Sequence, residues 1–104
     1  MVSMSNGKKV EEQAMDREVG PVFSAGIEAA AFCAAIEKLN PGACLLKRGS
    51  YWRVSVSEQC ILTKAAVEAE LGESLSWPED LEMIMPSFKG NLRISDEGAV
   101  WSAY

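Results

Sequence analysis

The chain has 104 residues, ten Lys plus Arg against fifteen Asp plus Glu (formal charge −5), and no histidine. That is one domain's worth of chain, and without histidine it has no Ser-His-Asp or Cys-His nucleophile and no imidazole metal ligand. The acidic balance argues against nucleic acid as a partner, and no apolar run reaches the roughly 18–20 residues of a membrane span.

In chain order, residues 1–18 are polar and aperiodic, with no apolar core of a signal peptide, and are expected to form a flexible tail preceding a domain over 19–104. Val19–Phe23 reads as a short strand that Pro21 confines to an edge or a first position. Gly26 or Ser24 then caps a helix over Ile27–Leu39. Ile27, Ala31, Ala34 and Ala35 recur at helical spacing, with Phe32, Ile36 and Leu39 beside them. Asn40-Pro41-Gly42 stops it. Ala43–Lys47 and Tyr51–Ser57 read as two strands about a Gly49-Ser50 turn. In the second, Trp52, Val54 and Val56 alternate with Tyr51, Arg53, Ser55 and Ser57, giving one buried face and one wet face. Cys60–Leu62 resumes strand after a Glu58-Gln59 turn.

Thr63 is the expected N-cap of a second helix over Lys64–Leu71, with Gly72 at C′ and Leu62 and Val67 at staple spacing. Ser76 and Glu79 stand at capping-box spacing, which predicts a helical turn over residues 77–80. Leu81–Met85 reads as a strand ended by Pro86, and Leu92–Ser95 and Ala99–Ala103 as a last hairpin about Asp96-Glu97-Gly98. The resulting order is β-α-β-β-α-β-β-β: an α+β domain, two helices on mainly antiparallel sheet.

The chemistry-bearing residues are sparse. Glu11-Glu12, Glu79-Asp80 and Asp96-Glu97 pair carboxylates, but in a tail, a helix start and a turn, where acids serve the dipole or solvation. Cys33, Cys44 and Cys60 are odd in number, form no CxxC pair, and stand in apolar company. They are expected to be core thiols of a cytoplasmic protein. Trp52, Trp77 and Trp101 either frame a small-molecule pocket or serve core and interface. Met83-Ile84-Met85-Pro86-Ser87-Phe88-Lys89-Gly90 is the most unusual stretch. Either Phe88 folds back at a kinked edge, or Phe88 and the two Met form an adaptable protein-binding patch. These residues fit a binding module better than an enzyme.

Val19-Gly20-Pro21, Asn40-Pro41-Gly42, Tyr51-Trp52-Arg53-Val54, Ile61-Leu62-Thr63-Lys64 with Leu71-Gly72, and Ser87-Phe88-Lys89-Gly90 follow one another in an order that resembles a known family. It is that of the coupling (effector, or regulatory) proteins of bacterial soluble diiron multicomponent monooxygenases. The chain is most similar to the small effectors of the toluene and alkene monooxygenase systems. The resemblance implies a non-catalytic protein without cofactor or metal that docks on the diiron hydroxylase and couples electron delivery and oxygen activation to hydroxylation or epoxidation. It also implies competition with a Rieske ferredoxin or reductase for the same surface, and a monomer when free. Met83, Met85, Pro86, Ser87, Phe88, Lys89, Gly90 and Asn40 are the expected partner-binding residues.

Overall fold

A computed structural model of the chain describes residues 17–104. Residues 1–16 of the expected tail lie outside the described residues. The last two residues of that segment belong to the domain. Glu18 opens strand β1 (Glu18–Ser24), and the Arg17 carbonyl accepts from the Glu58 N–H at 2.7 Å. There follow α1 (Ile27–Leu39), β2 (Cys44–Arg48), β3 (Tyr51–Ser57), β4 (Gln59–Thr63) and α2 (Lys64–Leu71). α3 (Glu79–Ile84), β5 (Ser87–Lys89), β6 (Asn91–Ile94) and β7 (Gly98–Ser102) complete the domain.

The strands form two sheets, ordered β2-β3-β1-β5 and β4-β7-β6. Every ladder in them is antiparallel. The α+β architecture with two main helices is therefore as expected from the sequence. β3 of the first sheet runs almost directly into β4 of the second, and β5 into β6. Each corner turns on one residue with a left-handed backbone, Glu58 (φ 71°) and Gly90 (φ 106°). A Cβ at Gly90 would stand 2.7 Å from Val19 Cγ1 and 2.9 Å from the Ser102 carbonyl oxygen. Glycine there lets the second corner close against both sheets.

The core lies between α1, α2 and the inner sheet faces. Ala29, Ala31 and Ala35 thin the buried flank of α1, so that Phe32 and Ile36 reach the sheet fully buried. The Phe32 ring meets Phe23 of β1 at a centroid distance of 5.5 Å. From β3, Val54 and Val56 point inward as the alternation predicts, and Trp101 of β7 is fully buried among them. Thr63 Oγ1 accepts from the Ala66 N–H at 3.1 Å, and Gly72 is left-handed, so both predicted signals of α2 are realised.

Five local expectations are corrected. Leu81–Met85 is not a strand. Residues 79–84 form α3, because Leu81 turns into the core with Ile84 and Met85 packed beside it, a spacing of three and four rather than two. The helix is entered through the Ser76 N–H, which donates to Asp80 Oδ2 at 2.9 Å; Asp80 rather than Glu79 closes the box. Pro21 lies not in an edge strand but in β1, with β3 and β5 on either side. It is tolerated because the β1–β3 ladder is interrupted there, between Val19↔Val56 and Val22↔Arg53. Ile27 is exposed: it precedes the first turn that touches the sheet. Cys44 is exposed as well, because it begins the edge strand β2 and pairs with Ser55 on the outer face.

Candidate docking surface

The Met83–Gly90 stretch is built from two short elements at one edge of the four-stranded sheet. Met83 stands on the solvent side of α3 at 82% exposure, whereas Met85 packs against the core. Pro86 ends the helix. Ser87, Phe88 and Lys89 form β5, an edge strand of the four-stranded sheet. Phe88 pairs with Pro21, while Ser87 and Lys89 pair with Val22 and Gly20. Antiparallel partners share a face. Phe88 therefore lies on the side of buried Pro21, at the rim and 45% exposed. Ser87 and Lys89 stand on the other side. Phe88 is folded toward the inner side, as one of the two readings has it, and nearly half of the residue still meets solvent.

Asn40 is placed differently. It is a buried polar residue, and its carboxamide is fully engaged. Nδ2 donates to the Ile36 carbonyl at 2.8 Å and to the Ile61 carbonyl at 2.7 Å, and Oδ1 accepts from the Ile61 N–H at 2.8 Å. β4 is an edge strand, and its Ile61 backbone groups point away from β7. The Asn40 side chain thus pairs with Ile61 as one residue of a neighbouring strand would, and fastens the end of α1 to the second sheet.

The outer face of the four-stranded sheet carries Leu46, Arg48, Tyr51, Arg53, Val22, Ser87 and Lys89, as the registers require. Two depressions cross it. One of about 480 Å³ is lined by Val22, Leu46, Arg48, Tyr51, Arg53, Pro86 and Ser87. A smaller one, about 230 Å³, shares Val22, Arg53 and Ser87 with it and extends to Glu18, Phe88 and Lys89. The alternation in β3 placed Tyr51 and Arg53 on a wet face. That β2 and β5 add Leu46, Arg48, Ser87 and Lys89 to the same face is a long-range fact of strand order.

The three tryptophans do not frame a pocket. Trp101 is in the core, Trp77 donates its indole N–H to the Ser95 carbonyl at 2.7 Å, and Trp52 lies under Lys47 Nζ, 6.0 Å from its ring centroid. None of them lines either depression. Burial holds the Cys33 thiol up at about 11 and Cys60 at about 12, which keeps both protonated and inert. The Glu58 carboxylate has a displaced titration. The Tyr104 hydroxyl and then the Arg17 guanidinium hold it below its ordinary value. Among the described residues, no group of three or more Cys, Asp and Glu is placed to hold a metal ion.

The family model described as MmoB/DmpM matches residues 17–102. The chain belongs to the MmoB/DmpM family. The effector subunit of the alkene monooxygenase system of Xanthobacter autotrophicus (strain Py2) is 39% identical over 85 residues, 80% of this chain and 83% of that one. Two solved chains from phenol hydroxylase–regulatory protein complexes share the fold. Their TM-scores are 0.73 and 0.71 at 16% and 18% identity, covering 82% of this chain and 95% and 98% of theirs. As an MmoB/DmpM protein the chain is a regulatory component and not a catalyst. Among the described residues, no helix is long and apolar enough to cross a membrane.

Proposed function

We propose that this chain is the effector of a multicomponent monooxygenase, and that it binds the diiron hydroxylase and couples reductant and oxygen consumption to hydrocarbon hydroxylation or epoxidation. The 39% identity over 80% of the chain to an alkene monooxygenase effector subunit carries this reading. An effector without chemistry of its own acts by linkage: it shifts the hydroxylase toward whichever state it binds more tightly.

In this proposal the contact surface is the exposed rim of the Met83–Gly90 stretch, with Met83 and Phe88 as apolar anchors and Pro86, Ser87 and Lys89 beside them. Met85, Gly90 and Asn40 contribute from beneath, as packing, corner and bridge. The electron-transfer protein, a Rieske ferredoxin or a reductase, competes for the same hydroxylase surface, and the free effector is a monomer. The three free thiols fit a reducing cytoplasm.

Reconstitution tests the function. Hydroxylase, electron-transfer components and substrate are assayed with and without this chain for product formed per NADH consumed. The chain is expected to raise both turnover and coupling; unchanged values would refute the effector reading.

A further inference from the structure

The outer face of the four-stranded sheet has the opposite charge to the molecule. The chain carries −5 overall, yet this face presents Arg48, Arg53 and Lys89, with Glu18 at one end. The other acids of residues 17–104 lie on the helices, in the loops beside them, at the Glu58 corner and in the 95–98 turn. Arg48 is opposite Tyr51, and Arg53 is opposite Leu46. The two guanidinium groups are therefore diagonal neighbours on one face. Neither has a carboxylate partner among the described residues. Between them lies apolar surface, with Leu46 42% and Tyr51 48% exposed. Exposed Tyr and Arg over an apolar strip is the composition of an interface centre rather than of a solvated sheet.

We infer that this face is a docking surface for a carboxylate-rich patch of the hydroxylase, engaged by Arg48 and Arg53 across the Leu46–Tyr51 strip. The inference deepens the proposed function and rests on it. Two observations select this occupant. The sign of the face calls for an acidic partner surface, and Pro86 and Ser87 line the same depression as Arg48 and Arg53, so the face continues directly into the Met83–Gly90 rim. The acidic helical side and the cationic sheet side also give the molecule an electric polarity. An approaching hydroxylase with an acidic patch turns the effector sheet-first, which raises the association rate.

The test is a titration of the purified hydroxylase with wild type, Arg53→Glu, Arg48→Glu/Arg53→Glu and Arg53→Lys at two ionic strengths, with circular dichroism to confirm folding. Glu73→Lys, on the exposed loop after α2, is the control. The double reversal is expected to weaken binding by about tenfold or more, chiefly through a slower on-rate, and to make binding strengthen with added salt, since like charges then face each other. Arg53→Lys is expected to recover most of the affinity, and Glu73→Lys to leave it within about twofold. If wild type binds and the double reversal binds equally well, the inference is overturned while the effector reading stands. If wild type does not bind, both fall. Sedimentation equilibrium adds one further arm. Self-association of the wild type that the double reversal abolishes would assign the face to a second copy's acidic helices and overturn the hydroxylase assignment.

Discussion

Replacing Asn40 with Ala separates a bridge from a contact. The substitution removes the two hydrogen bonds to Ile61 and one of the two made to the Ile36 carbonyl, which keeps the Asn40 backbone N–H at 2.9 Å. The Ile61 N–H and C=O lose the Asn40 side chain that pairs with them. At roughly 1 kcal/mol net per bond, the cost is about 2–3 kcal/mol, a Tm lowered by roughly 10–20 °C for a domain of this size. Urea unfolding followed by tryptophan fluorescence reads it as a lower midpoint with an unchanged slope. The Asn40→Asp variant sharpens the test. It keeps the acceptor for the Ile61 N–H but sets a carboxylate oxygen against the Ile36 and Ile61 carbonyls. The new carboxyl is then held above its unfolded value. Its neutral form can donate to one carbonyl, so the deficit against wild type shrinks as pH falls below that raised value and grows as pH rises through it. An Asn40→Ala protein within about 0.5 kcal/mol of wild type would refute the bridge. Lost hydroxylase affinity at unchanged stability would instead make Asn40 a direct contact.

Phe88→Ala is expected to remain folded by circular dichroism and to bind the hydroxylase about tenfold more weakly, since anchors at an interface centre carry most of its energy. Gly90→Ala forces a Cβ against Val19 and Ser102 at a left-handed corner; urea unfolding should show a loss of about 2–4 kcal/mol. Ellman's reagent should titrate Cys44 alone in the folded protein, and Cys33 and Cys60 only after denaturation, even at pH 9, because their thiols titrate near 11 and 12. Glu58 is held low by Tyr104 and Arg17, so its contribution is present above the unfolded carboxylate value and lost as pH falls through the folded one. The stability difference between wild type and Glu58→Gln should therefore narrow between about pH 5 and 3.

What the sequence revealed followed the range of the interactions. Both main helices are written locally, in alanine content, Thr63 and Gly72, and so is the alternation of β3. The Leu81–Met85 segment reads as a strand because five residues hold too few repeats to separate a period of two from one of three and a half. Only the core against which Leu81 packs decides it. A sound rule confines Pro21 to an edge or a first position. Pro21 escapes through a gap in the β1–β3 ladder, and no sequence window shows a ladder. The Ser87–Gly90 motif was recognisable, but its division of labour was not. Phe88 faces one side of the sheet, Ser87 and Lys89 the other, and Gly90 serves the corner.

Net charge and the charge of one face point to different partner surfaces, and for a physical reason. A charge of −5 suggests steering toward a basic rim on the partner. That argument holds at distances beyond the molecule's own size. Within a Debye length, about 8–10 Å at ordinary salt, a partner feels only the face it meets. The face continuous with the Met83–Gly90 rim carries Arg48, Arg53 and Lys89 against Glu18, while the other acids of residues 17–104 lie on the helices, loops and turns. The two ranges have opposite signs against an acidic hydroxylase patch: weak repulsion far off, attraction on contact. Added salt then acts on two terms. At low ionic strength it screens the long-range repulsion, and at higher strength it screens the contact. Association should accordingly pass through a maximum with rising salt. A basic docking site would give a monotonic fall, so the shape of the curve, read from stopped-flow association rates, distinguishes orientation by one face from attraction by net charge.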